Sequence, residues 1–93
     1  LESGGELLAL EMTQAANNLD EALLERRLAD TSMEAVEENL RMSRRQYEAG
    51  LETLSDYLEA QAVWQQASRT QVEARIGSYL RWLEYRKAAG LLD

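Results

Sequence analysis

The 93-residue sequence has no proline, cysteine, histidine or phenylalanine. Without cysteine and histidine it has no disulfide, no thiolate nucleophile, no usual zinc ligand and not the commonest general base. No cofactor or metal is expected. Glu37, Glu38, Asp56 and Glu59 offer a paired-acid set, but the pattern supplies neither a cleft nor a base tuned by burial. An enzyme is therefore not expected. The lack of proline removes the strongest helix breaker, and glycine, the next strongest, occurs only at positions 4, 5, 50, 77 and 90. Three Val, one Ile and four Thr are too few β-branched residues for a sheet. No stretch approaches the roughly 20 apolar residues that a membrane-spanning helix needs. The segment Leu1 to Leu10 has no basic region and carries two glutamates, so it does not read as a signal peptide. A chain starting on Leu reads as a piece of a longer protein, and the missing signal then says little about location.

The dominant residues, Ala, Leu, Glu, Arg and Gln, are good helix formers. The formal charge of −7 is the reverse of the basic footprint of a nucleic-acid binder, and no nucleic-acid partner is expected. From about residue 6 to 48 one set of positions steps alternately by four and three: Leu8, Met12, Ala15, Leu19, Ala22, Arg26, Ala29, Met33, Val36, Leu40, Ser43 and Tyr47. All but Arg26 and Ser43 are apolar or aromatic, the spacing of a coiled-coil seam. Arg26 either lays its stem along the seam with its charge in water or acts as a buried, partner-selecting charge. Thr31 with Glu34 has the form of a capping box. The stripe crosses it without changing phase, so one continuous helix is expected.

Gly50 ends that stripe, where a left-handed cap is wanted. Thr53 then provides an N-cap, with Asp56 at the third position to complete a capping box. Asp56 and Glu59 also place negative charge at the positive end of the new helix. A stop and a start three residues apart predict a turn over about 49–53 and a second helix over about 54–89, with Gly90 as its cap. This second helix carries two stripes. One is Leu51, Ser55, Leu58, Ala62, Gln65, Arg69, Val72, Ile76, Tyr79 and Leu83, polar in its middle. The other is Tyr57, Ala60, Trp64, Ala67, Gln71 and Ala74. Both sides therefore want partners. Gly77 marks either a close approach by another helix or a tolerated surface glycine. The fold class is all-α, a long antiparallel two-helix coiled-coil hairpin forming a single domain over 1–93. At 1.5 Å per residue, ~40 residues make a rod of about 60 Å. Two rods share one seam and enclose no core, so Tyr57, Trp64, Trp82 and Tyr85 stay partly exposed and the chain alone is expected to self-associate.

The run Tyr47-Glu48-Ala49-Gly50-Leu51-Glu52-Thr53-Leu54-Ser55-Asp56-Tyr57-Leu58-Glu59-Ala60-Gln61 resembles the Y-x-x-G-x-x-x-x-x-D-x-L-x-A-Q run of TolC-type outer-membrane efflux proteins. The similarity continues through Ala67, Ala74, Tyr79-Leu80 and the closing Lys87-Ala88-Ala89-Gly90-Leu91. It covers roughly Asn39 to Leu91; the earlier helix matches in style, as at Ala15-Ala16-Asn17-Asn18-Leu19. The resemblance implies the second of two repeated hairpins in a trimeric duct of Gram-negative bacteria, with a β-barrel in the outer membrane and an α-helical barrel through the periplasm. The chain would be a piece of that periplasmic α-barrel and would not itself cross a membrane. The implied partners are sister subunits, a periplasmic adaptor protein and an inner-membrane pump.

By the same resemblance, Asp56 and Glu59 match an acidic ring at the channel entrance, where three carboxylate copies around a narrow axis favour cations. Tyr47 matches an entrance latch, and Ala49, Gly50 and Leu51 match the tip that meets the adaptor. The chain departs at Glu52, where some members carry a basic residue able to pair with a neighbouring acid. The residues also allow plainer roles: capping for Asp56, a solvated charge for Glu59, a seam end for Tyr47. A competing reading is a coiled-coil interaction hairpin of a periplasmic adaptor or scaffolding protein. An amphipathic membrane-surface helix is disfavoured because the polar faces are acidic.

Overall fold

A computed structural model describes residues 2–90, with side chains from Gly4 onward. The chain is an all-α helical hairpin: α1 spans Glu2–Glu48 and α2 spans Leu54–Gly90. Helix α1 is unbroken through Thr31. It also begins earlier than the expected residue 6, because glycine costs about 1 kcal/mol in a helix and does not forbid one. Gly4 and Gly5 are absorbed into the first turns. Gly90, expected as a cap, is the last helical residue and lacks a positive φ; Leu91 of the closing run lies outside the described residues.

Packing falls into two units. In the unit around the turn, Arg27–Glu73, the side chains withdrawn from solvent on α1 include Ala29, Met33, Val36, Leu40 and Ser43. Those on α2 include Tyr57, Ala60, Trp64, Ala67 and Gln71. Ala29, Met33 and Ala60 are its buried apolar residues, so the most deeply buried apolar positions carry small or unbranched side chains. Gln71 donates to the Asp30 carboxylate at 2.8 Å across this seam. Asp30 opens the segment that resembled a helix break. A hydrogen bond to a charged group contributes about 1.5–3 kcal/mol, and this one ties α2 to α1 at that segment.

In the other unit, the described residues up to Arg26 and from Ala74 onward, Leu8, Met12, Ala15, Leu19 and Ala22 are withdrawn on α1. Ala74, Ser78, Arg81, Tyr85 and Ala88 are withdrawn on α2. Ser78 is 2% exposed and meets its own hydrogen-bonding needs by donating to the Arg75 carbonyl at 2.9 Å. Arg26 is exposed, so its charge stays in water as the first of its two readings supposed. Within each unit the α1 stripe, apart from the exposed Arg26 and Tyr47, is the side withdrawn from solvent, and on α2 it is the stripe through Tyr57, Ala60, Trp64, Ala67, Gln71 and Ala74. The other α2 stripe, from Leu51 to Leu83, is exposed throughout.

No described side chain is fully buried. No buried side-chain polar atom among the described residues lacks a hydrogen bond. Three ion pairs each lie along one helix: Arg41 with Glu38, Arg44 with Glu48 at 3.1 Å and Arg81 with Glu84 at 2.6 Å. Such exposed pairs contribute a few tenths of a kcal/mol each.

Candidate functional site

The turn is built by backbone chemistry that the sequence dictates. Gly50 adopts φ +77°, the only positive φ among the described residues. The Leu51 amide reaches back to the Gln46 carbonyl at 2.8 Å, and the Gly50 amide to the Tyr47 carbonyl at 3.0 Å. These are the two bonds of a Schellman motif, which satisfy carbonyls that the helix end leaves open. Two residues beyond Leu51, Thr53 restarts the chain. The Asp56 amide donates to the Thr53 hydroxyl at 3.1 Å, and the Tyr57 amide bonds the Thr53 carbonyl at 3.2 Å. The N-cap is formed as expected. The reciprocal bond of a full capping box, from the Thr53 amide to the Asp56 carboxylate, is absent among the described residues, which leaves that carboxylate free to face solvent.

Tyr47 and Tyr57 close the seam at the turn. Their rings stack with centroids 5.3 Å apart and planes 11° from parallel. Tyr47 is still 38% exposed, so its seam role leaves part of the side chain accessible. Ala49, Gly50 and Leu51 form the exposed apex, and Leu51 at 80% is the most exposed large apolar residue among the described residues.

Glu52 takes a role that the sequence did not reveal. Its carboxylate accepts a hydrogen bond from the Ser43 hydroxyl at 2.6 Å, while Ser43 is buried. Ser43, one of the two breaks in the α1 stripe, is therefore a seam residue whose hydroxyl is met by the turn. The only available signal was that a stripe-breaking serine and a carboxylate lie nine positions apart across a turn. Glu52, Asp56 and Glu59 then line one surface depression of about 490 Å³ together with Asn39, Met42 and Gln46. Asp56 and Glu59 are exposed, and no basic side chain pairs with either among the described residues. Of the sequence-nominated residues, Asp56 and Glu59 come together on this depression. Ala49, Gly50 and Leu51 sit at the apex, and Tyr47 ends the seam.

The groove's acidic side chains do not form a group of metal-ligating residues, and none exists among the described residues. Glu38, from the paired-acid set, is engaged by Arg41. No described helix is long and apolar enough to cross a membrane. Compared with family models, curated proteins and solved structures, the chain matches none.

Proposed function

We propose that this hairpin forms wall and entrance tip of a trimeric outer-membrane efflux duct, in its periplasmic portion. The observation that supports this reading best is the pairing of a rigid turn with unpaired charge. The Schellman cap at Gly50 and the N-cap at Thr53 fix where α2 begins, and Asp56 and Glu59 stand exposed and unpaired on its first turns. Three copies of that surface around an axis make a negative collar, which concentrates cations and resists tight closure. Ala49, Gly50 and Leu51 are the surface offered to an adaptor protein that joins the duct to an inner-membrane pump, and Tyr47 is the latch. The exposed α2 stripe is the side that meets the next hairpin of the wall. The role is passive and requires no chemistry.

Glu52 sharpens the reading. Bonded to Ser43, it adds a third carboxylate to the tip rather than a cation, so closure of this entrance relies on contacts other than a salt bridge at that position. The test is conductance of the full-length channel carrying Asp56→Ala and Glu59→Ala. Loss of cation preference is the expected result, and an unchanged preference refutes the collar. The 80% exposure of Leu51 also suits a second reading, the coiled-coil hairpin of an adaptor or scaffold. The same assay separates the two, because a parent protein of that kind forms no conducting pore.

A further inference from the structure

The half of the hairpin away from the turn carries two unlike flanks. Between Gly4 and Arg26, α1 holds Glu6, Glu11, Asp20, Glu21 and Glu25 against Arg26 alone. Between Ala74 and Gly90, α2 holds Arg75, Arg81, Arg86 and Lys87 against Glu84 alone. The seam of this half passes through Ala22 and Ser78, both withdrawn from solvent. On one side of it Leu19, Leu23, Arg26, Tyr79 and Trp82 line a depression of about 240 Å³. The Arg86 guanidinium lies 5.1 Å over the Trp82 ring, and the Tyr79 and Trp82 rings are 6.0 Å apart. That flank is aromatic, apolar and cationic. Arg26 pairs with no carboxylate among the described residues.

On the other side Asn18, Glu21, Glu25 and Arg81 line a depression of about 310 Å³. Arg81 is the one cation there, and both of its short contacts, at 2.6 Å, go to Glu84. Leu10 and Leu24 are each more than half exposed. At about 100° per residue they project within roughly 20° and 60° of Glu21. This flank is leucine-rich and anionic.

We infer that the two flanks recognise each other between copies of this chain: the Tyr79–Trp82–Arg86 flank of one copy receives the Leu10–Glu21–Glu25 flank of a second. Rings and leucines supply the apolar contact, and the charges fix which flank meets which. A two-fold dimer through either flank is disfavoured by the same charges, since it sets the cationic flank against a second cationic flank, or the anionic against a second anionic one. The contact is heterologous. Each copy in a pair keeps one unsatisfied flank of the opposite kind, so association proceeds past the dimer to a ring or an open stack. The inference concerns the chain itself and stands whether or not the parent protein is an efflux duct.

Sedimentation equilibrium over a range of concentrations tests it. The unmodified chain shows a mass that rises beyond that of a dimer and falls with added salt. Arg26→Glu with Arg86→Glu makes both flanks anionic, and Glu21→Arg with Glu25→Arg makes both cationic. Each double variant alone associates about ten-fold more weakly or less tightly still, and an equimolar mixture of the two regains association. Far-UV circular dichroism checks that each variant remains helical. If the second variant unfolds because its arginines meet Arg81, Glu21→Gln with Glu25→Gln replaces it and must also weaken association. A chain that stays monomeric, a mass that stops at the dimer, or an anionic-flank variant that associates like the unmodified chain overturns the inference.

Discussion

Two glycines in this chain predict opposite responses to the same substitution. Gly50 holds φ +77°, and a Cβ placed there meets nothing within 4 Å. Any cost of Gly50→Ala is therefore a backbone cost, free of packing strain. A left-handed conformation costs an L-residue about 1–2 kcal/mol. For a chain of this size that lowers the unfolding midpoint by roughly 5–15 °C. Gly77 lies inside α2 with no positive φ, and its added Cβ also meets nothing within 4 Å. There the alanine removes only the flexibility of glycine, so Gly77→Ala raises stability by about 0.8–1 kcal/mol. Thermal unfolding followed by circular dichroism, at one dilute concentration so that association does not enter, measures both. A Gly50→Ala chain as stable as the parent would show that the Schellman bonds do not need the left-handed residue. A destabilised Gly77→Ala chain would show that the open space beside Gly77 is occupied in solution.

Thr53→Ala removes the acceptor for the Asp56 amide and costs about 1 kcal/mol, while Thr53→Ser restores most of it; urea unfolding of the two variants separates cap from side-chain size. The stacked pair Tyr47 and Tyr57, taken to alanine singly and together, yields a coupling of about 0.5–1.5 kcal/mol in a double-mutant cycle, and additive losses refute the stack. Ser43→Ala leaves Glu52 half-exposed and able to find water, so the loss stays near 1 kcal/mol, whereas Ser43→Leu overpacks a buried position and costs about 1–3 kcal/mol in the same unfolding assay.

The turn was the most legible part of the chain, because both of its signals are local. Glycine at the end of an apolar stripe and threonine three residues on are read without knowing what packs against them. The α1 seam was equally legible, since its apolar positions hold one phase past Thr31. Helix α2 was not. Its apolar residues lie on more than one side, so periodicity offered two stripes and could not rank them. The structure seats Ala60, Ala67, Ala74 and Ser78 against α1, with Tyr57 and Trp64 between the smaller residues, and leaves Leu58, Val72 and Ile76 exposed. The polar contacts were hidden for a different reason. Gln71 with Asp30 and Glu52 with Ser43 join positions far apart in sequence or across a turn, and single-helix spacing carries no trace of them.

That choice of stripe has a consequence for what holds the chain together. Although Tyr57, Trp64 and Tyr85 join its small residues in the seam, α2 leaves much large apolar surface outside: Leu58, Val72, Ile76, Tyr79 and Leu83 are each at least 40% exposed. The seam itself buries mainly alanine, serine and one methionine, Met33. Burial stabilises by about 25 cal/mol per Å² of apolar surface, so a seam whose most deeply buried side chains are small gains little while the larger apolar surface remains available. Helix propensity and the caps supply local stability, and the remaining hydrophobic gain lies on surfaces that the hairpin itself leaves uncovered. On this argument Gly77→Ala separates the two contributions. It stabilises the isolated hairpin through propensity. If a second copy approaches α2 closely at that point, the same methyl group weakens association, and sedimentation of this one variant reads a tighter fold and a looser assembly together.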